Sequence, residues 1–524
     1  MRVTYVDESH SVAPDNRVVT LLRTCDSCRH LIANWRAPCI TDPNRLVQAQ
    51  LRVQQLITLR LTVAALFLFA PVSARAAPPD PFNTLGTLHS DSRGYTDPLG
   101  QECEIPAGAL TFPAAVNLAL CRNPQTRAAW AQAHVQAAAL GTADSAWLPS
   151  VAVSGQKERV YGPHADYDGN IVDTPQNNGD ATANLTWTLY DFGARTGKIK
   201  SARSLLDAAA ATATSTAQQL VRTVVQAYYG VVAGDDGLAA AKATEEVAAH
   251  SLEIAKALQA GGVTGLADVL QAETAHGQAV LARIQAEASD KSAHGTLAVT
   301  LGLTAQEAFR LAPEPVPDEV PALSARMYDL MAEAAQQRPD LKAAEAQRDA
   351  AEANVGVARA AGRPTIAIGA QHYLTTTTGL PNENYNQVGI TVSWPLFTGF
   401  STTYGVRQAQ AALQAQEANV EQVHLSVSLD VWNAYYGLDS ANQQLTATAT
   451  LSKTATDNLE VALGRYSSGV GSIVDVLTAQ TAAATVRTLR INAELNWKVA
   501  RAQLALALGR LSSAEPLQDN AALP

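Results

Sequence analysis

Three groups of side chains in this sequence could do chemistry. The first is a pair of acids, Asp268 and Asp475, each just beyond a glycine-containing turn: Gly262 and Gly265 precede Asp268, and Gly469 and Gly471 precede Asp475. Ser472 stands three residues before Asp475, the spacing of a capping box, which would set that carboxylate against a helix amino terminus. The second group is the thiols. Cys25-x-x-Cys28, with Cys39 and His30 nearby, is half of a zinc-site spacing without the second pair of ligands, whereas an oxidising compartment would let Cys103 and Cys121 pair as a disulfide. The third is the imidazoles of His250, His276 and His294, on helical stretches with no partner at ligand spacing, so neither a metal site nor a cofactor is expected. A phosphate-cradling G-x-x-x-x-G-K-[ST] loop, an H-E-x-x-H helix and a G-x-S-x-G elbow are all missing. The chain therefore reads as no enzyme and as unable to drive any process by itself.

Composition points to long helices. Of 524 residues only 16% are charged, against roughly 25% in an average soluble domain. Aromatics are 6% and alanine dominates. The formal charge of -10 leaves no basic surface to neutralise phosphates, which sets nucleic acid aside. No apolar run reaches the ~18 to 20 residues of a membrane-spanning helix. The nearest, Leu61 to Val72, is broken by Pro71 and follows Arg52 and Arg60; with Ala74-Arg75-Ala76 behind it, it has the three parts of a secretory signal cut after Ala76. A signal belongs at a true amino terminus, so residues 1–50 are expected to be a non-native upstream extension, with translation starting near Leu51 or Val53. No cysteine stands at the cleavage site, so a lipid anchor is not expected.

The elements that must position these residues come as two copies of one unit. Trp187-Thr-Leu-Tyr190 recurs as Trp394-Pro-Leu-Phe397, Ala227-Tyr-Tyr-Gly230 as Ala434-Tyr-Tyr-Gly437, Gly262 and Asp268 as Gly469 and Asp475, and Leu301-Gly302 as Leu508-Gly509. Every pair is 207 positions apart (187 to 394, 301 to 508), while Pro149 and Pro364, further upstream, are 215 apart, so the first copy holds eight extra residues between Pro149 and Trp187. Copy one spans 109–303 and copy two 325–511, joined by a proline-rich link, 304–324; residues 77–108 and 512–524 read as extended. Each copy predicts a helix interrupted near Pro124 or Pro339, then two strands, 151–160 with 181–190 or 365–373 with 387–394. A proline-free helix on the order of 100 Å follows, then a turn and a second long helix.

The strands alternate: Leu185, Trp187 and Leu189 face one way and Asn184, Thr186 and Thr188 the other. In a secreted chain such strands suit an outer-membrane barrel, but four cannot close on themselves, so several chains must share one barrel. Trp187, Tyr190, Trp394, Phe397 and Phe400, at the strand ends, would form an interfacial girdle in contact with lipid. Pro395, Gly193 and Gly399 mark the passage from strand to helix.

The duplicated unit, the W-x-L-[YF] strand end followed by Asp191-Phe192-Gly193 or Thr398-Gly399-Phe400, and the turn from Tyr466 to Asp475 resemble the TolC family of outer-membrane efflux proteins over about residues 108–511. The resemblance implies an α+β membrane protein: a homotrimer giving four strands per chain to a 12-stranded barrel, with the long helices as a periplasmic tunnel. It implies docking on a periplasmic adaptor and an inner-membrane ABC transporter or proton-driven pump. It also implies that Asp475, and its counterpart Asp268, line a narrow entrance where crowded carboxylates favour cations, and that Tyr466 is an entrance latch. The family pattern is broken at Thr478, where a second acid is expected, at Gly471, where an arginine latch belongs, and at Ala267, where a threonine belongs, which implies a more readily opened entrance. Two cargoes fit: a protein toxin by type I secretion, as in the cyclolysin-type exporters that the chain also resembles, or small toxic compounds through a multidrug pump. A secreted coiled-coil scaffold or adhesin would explain the long helices but not the four strands.

Overall fold

The computed structural model describes residues 80–511, apart from 89–96, 100–102, 104–107, 166–168, 308, 313–325 and 379. The expected upstream extension, the signal, the Cys25 cluster, the link from 313 on with all its prolines, and residues 512–524 lie outside the described residues.

Each copy begins with a helix that proline breaks. α1 (Phe112–Arg122) ends at Asn123, which caps α2 (Pro124–Asp144), and α5 (Met327–Gln337) ends at Arg338 before α6 (Pro339–Ala360). Proline at the first helical position lacks the N–H that would continue the preceding helix, so the chain stops and restarts there. β1 (Ser150–Val160) and β4 (Gln176–Tyr190) follow in copy one, β5 (Thr365–Thr377) and β6 (Glu383–Ser393) in copy two. The extra residues of copy one sit in the first strand connection, which carries a small hairpin, β2 (His164–Ala165) with β3 (Ile171–Val172).

The strands run longer than their alternation marks. β4 starts at Gln176, not 181, because the polar stretch Gln176–Asp180 pairs residue by residue with Val160–Gln156. Backbone hydrogen bonds, not a buried face, carry it there. The antiparallel sheet has the order β1-β4-β5-β6. Its register lines up Val151, Leu185, Ala370 and Val388 in one row and Trp187, Ile368 and Ile390 in another. This aligned apolar face is open: Val151, Val388 and Ile390 are each about 70% exposed. The other face is polar, with Ser154 Oγ 2.6 Å from Thr182 Oγ1 and Thr375 Oγ1 donating to Asp180 at 3.0 Å. β1 and β6 are the edges, with nothing paired beyond them among the described residues.

Below the sheet, the two long helices are equal in length. α3 (Ala194–Ala260) and α7 (Ser401–Ser467) have 67 residues each, and their return helices α4 (Leu266–Thr300) and α8 (Ile473–Ala507) have 35 each. A 67-residue helix is about 100 Å long. The upper part of α3 packs on α2 and α6, and its lower part on α4; α7 relates to α6 and α8 in the same way. Buried alanines such as Ala213, Ala217, Ala248 and Ala255 let these helices approach closely, and no described helix is long and apolar enough to cross a membrane. At mid-height Phe112, Tyr228 and Tyr229 form an aromatic core, and Tyr228 donates its hydroxyl to the Leu110 carbonyl at 3.1 Å. α4 and α8 both end in a glycine-capped turn: Gly302 and Gly509 adopt left-handed φ of 76° and 70°, which explains the repeated Leu-Gly pair.

Candidate functional site

Two places in each copy change the direction of the chain, and the sequence-selected residues gather there. The upper one is the junction from strand to long helix. Phe192 and Gly193 in copy one, and Gly399 and Phe400 in copy two, are consecutive left-handed residues (φ 52°, 95°, 60° and 66°) that swing the chain out of the sheet. Trp187, part of the expected girdle, donates its Nε1 proton to the Trp147 carbonyl at 2.9 Å and is 41% exposed; Trp394, just past the end of β6 and before Pro395, is 60% exposed.

Sequence reasoning missed the group that holds the first junction together. Arg195 and Asp191 are buried and joined by Nε to Oδ2 at 2.9 Å. The guanidinium also donates to the carbonyls of Thr188 at 2.7 Å and Leu189 at 3.2 Å, and its Cζ lies 4.2 Å from the centre of the Trp147 ring. Asp191 accepts the backbone N–H of Arg195 at 2.9 Å. Burial pushes the Asp191 carboxyl up, but the N–H, guanidinium and charge of Arg195 outweigh it and hold it below the usual carboxylate range. The available signal was the i, i+4 acid and base straddling the glycine, which reads as an ordinary helix-start pair.

The lower place is the tip, where α3 turns into α4 and α7 into α8. Both turns are Schellman caps: Val263 N–H bonds Leu258 C=O at 2.9 Å around Gly262, and Val470 N–H bonds Arg465 C=O at 3.1 Å around Gly469. Gly262 and Gly469 have φ of 74° and 76°. Gly265, by contrast, is the extended residue before α4 and adopts ordinary negative φ. A Cβ at Gly471 would meet Tyr466 N at 2.9 Å and Arg465 C at 3.1 Å, so this turn has no room for the arginine of the family pattern. The two tips touch: Gly469 faces Val263, and Tyr466 packs with Ala255, Val269, Ala272, Ile473 and Val476.

Tyr466 is thus inside the chain, bridging its two hairpins, and is 1% exposed. Its hydroxyl is buried beside that of Thr264. Burial and the nearby Asp268 charge push the phenol up. Asp268 is half-buried near this contact, while Asp475 is exposed. The expected capping box is corrected: Ser472 Oγ accepts from Val474 N at 3.2 Å, a simple cap one residue short of the reciprocal arrangement, so the Asp475 carboxylate is not committed to it.

Cys103 and Cys121 form a disulfide, Cα to Cα 5.9 Å, which ties the segment before α1 to that helix. The expectation that His294 lacks partners is overturned, because helix packing across the turn brings Asp235 of α3 to it and Asp290 lies one helical turn before it. Burial and the Asp235 charge push the Asp290 carboxyl up.

The sheet has two open edges and one exposed apolar face, and it is continued by long paired helices whose tips touch. The family model described as outer membrane efflux protein matches residues 115–303 and 330–510. The chain belongs to this outer membrane efflux protein family. It is 31% identical to Protein CyaE of Bordetella pertussis over 72% of this chain and 80% of that one, and 27% identical to Outer membrane protein TolC of Vibrio cholerae over 59% and 72%. Among solved structures, the outer-membrane channel OprN superposes with a TM-score of 0.67 at 22% identity, covering 79% of this chain and 95% of that one. The outer membrane protein VceC of Vibrio cholerae gives 0.65 at 18%, covering 76% and 96%. The efflux protein is accordingly an outer-membrane channel component of the expected class, strands for a shared barrel continued by a helical periplasmic tunnel.

Proposed function

We propose that three copies of this efflux protein close one 12-stranded barrel, with β6 of each chain pairing with β1 of the next, and that the assembly is a passive exit duct for a type I secretion machine. The open edges of β1 and β6 carry this reading, since an unpaired strand edge is not tolerated in lipid. An adaptor and an inner-membrane ABC transporter would supply the drive, because the chain carries no nucleotide-binding motif. The cyclolysin-type resemblance and the 31% identity to CyaE support a protein cargo over a small molecule.

At the entrance, the exposed Asp475 supplies the ring of carboxylates on the threefold axis, and Asp268 with Tyr466 holds one hairpin to the other. Gly471 and Ala267 remove two latching side chains, so the resting entrance opens more easily than a fully latched one. Deleting the gene and assaying the medium tests the cargo. Loss of a secreted protein with unchanged susceptibility to dyes and detergents is the expected result, while intact secretion with raised susceptibility would establish the multidrug reading instead.

A further inference from the structure

Midway along α3 and near the end of α4 lies a group of ligand-bearing side chains that an exit duct does not use. Asp290 and His294 are one turn apart on α4, and Asp235 on α3 faces them. His294 Nε2 lies 3.6 Å from Asp235 Oδ1 and 3.8 Å from Asp290 Oδ1, and the three ligand atoms all fall within 4.8 Å of one another. A tetrahedral zinc ion with bonds of about 2.05 Å holds its ligands about 3.3 Å apart, so the two distances from His294 are each within about half an ångström of that spacing.

Asp290 Oδ1 is shut off from solvent, and burial together with the charge and carboxyl of Asp235 beside it disfavours the ionised form, a cost that a cation between the two carboxylates would relieve. Gly234 lets α3 close on it: a Cβ there would stand 3.3 Å from both Asp290 Cα and Oδ1. The Phe309 ring packs near that of His294, with centroids 5.6 Å apart. Asp235 and His294 keep part of their surface open, leaving a path for an ion and room for a water ligand. Asp236 and Glu494 add negative charge nearby, and Lys242 opposes it.

We propose that Asp235, Asp290 and His294 bind a divalent transition-metal cation of the zinc class, which clamps α4 to α3. Two oxygens and one imidazole suit zinc better than a thiophilic ion or one that demands an all-oxygen shell.

The test uses the purified full chain in detergent, stripped with a chelator and titrated with zinc chloride by calorimetry, with cobalt(II) absorption as a second reading. The expected result is saturation at one zinc per chain and a raised thermal midpoint. Asp290→Asn and His294→Gln should each weaken binding at least about tenfold and abolish the tetrahedral cobalt band. Absence of stoichiometric zinc binding, or binding within twofold of the parent in both variants, overturns the proposal. If either variant fails to assemble, Asp235→Asn at the exposed ligand makes the same test. Conductance of the metal-free protein reports the duct separately, so the two readings fail independently.

Discussion

The same junction is built twice in this chain with different chemistry. In copy one, Asp191 and Arg195 form a buried ion pair under the Trp147 ring. At the matching positions 207 residues on stand Thr398 and Thr402, whose hydroxyls lie 3.1 Å apart, and where Trp147 would recur, 215 on, Gly362 takes its place, with no room for a Cβ against Thr402 Cγ2 at 2.9 Å. The difference recurs down the molecule. Tyr228 and Tyr229 are buried in the mid-height core, while Tyr436 of the second copy is 49% exposed beside Trp432. Asp268 is half-buried near Tyr466, while Asp475 is exposed. At these three places copy one turns its matched residues inward and copy two leaves their counterparts nearer the surface, where a neighbouring chain or a pore can use them; at the tip contact the order reverses, with Tyr466 and Ile473 buried where Gln259 and Leu266 are exposed.

Breaking the frame side of this comparison should have the largest effect. Arg195→Met leaves Asp191 buried without its cation and should cost about 3–5 kcal/mol, read as the unfolding midpoint of the purified assembly. The counterpart Thr402→Val, which removes one exposed hydroxyl pair, should cost no more than about 1 kcal/mol. Equal losses would dissolve the distinction.

The disulfide is the next largest asymmetry, because Cys121 recurs as Gln336 in copy two. Cys121→Ser, or reduction, should cost about 3 kcal/mol for a loop of this size, in the same unfolding assay.

The tips give a smaller contrast. Gly469→Ala forces a side chain into left-handed backbone and should cost about 1–2 kcal/mol, whereas Gly265→Ala, in extended backbone with open space around it, should leave the midpoint unchanged.

The smallest effect is a pH signature. Asp191 has its folded pKa depressed, so its contribution is complete above the unfolded value of about 4 and is lost as pH falls below it through the folded pKa. Asp191→Asn should therefore flatten the acid limb of the stability profile below about pH 4, and Thr398→Val should not.

The repeat, the strand pairs and the glycine turns were legible in the sequence because each rests on local pattern: period-two alternation, proline at helix starts, glycine where φ is positive. What was not legible depends on register between distant segments. Arg195 looks like any first-turn cation until the fold brings the Ala146 and Thr188 carbonyls to it. Asp235 meets His294 only because two antiparallel helices align at that height, and Gln176–Asp180 extend β4 only because Val160–Gln156 lie opposite. Tyr466 could be assigned to the tip from its spacing, but its burial between the hairpins comes from packing.

The central claim, that the second copy presents what the first copy holds, is tested most directly at the two tip acids. Single channels of the assembly in planar bilayers, blocked by a multivalent cation added on the periplasmic side, should lose block at least about tenfold in Asp475→Ala and change less than twofold in Asp268→Ala, as expected for an exposed charge in a narrow pore against one engaged in packing. Unchanged block in Asp475→Ala, or equal losses in both variants, would contradict it.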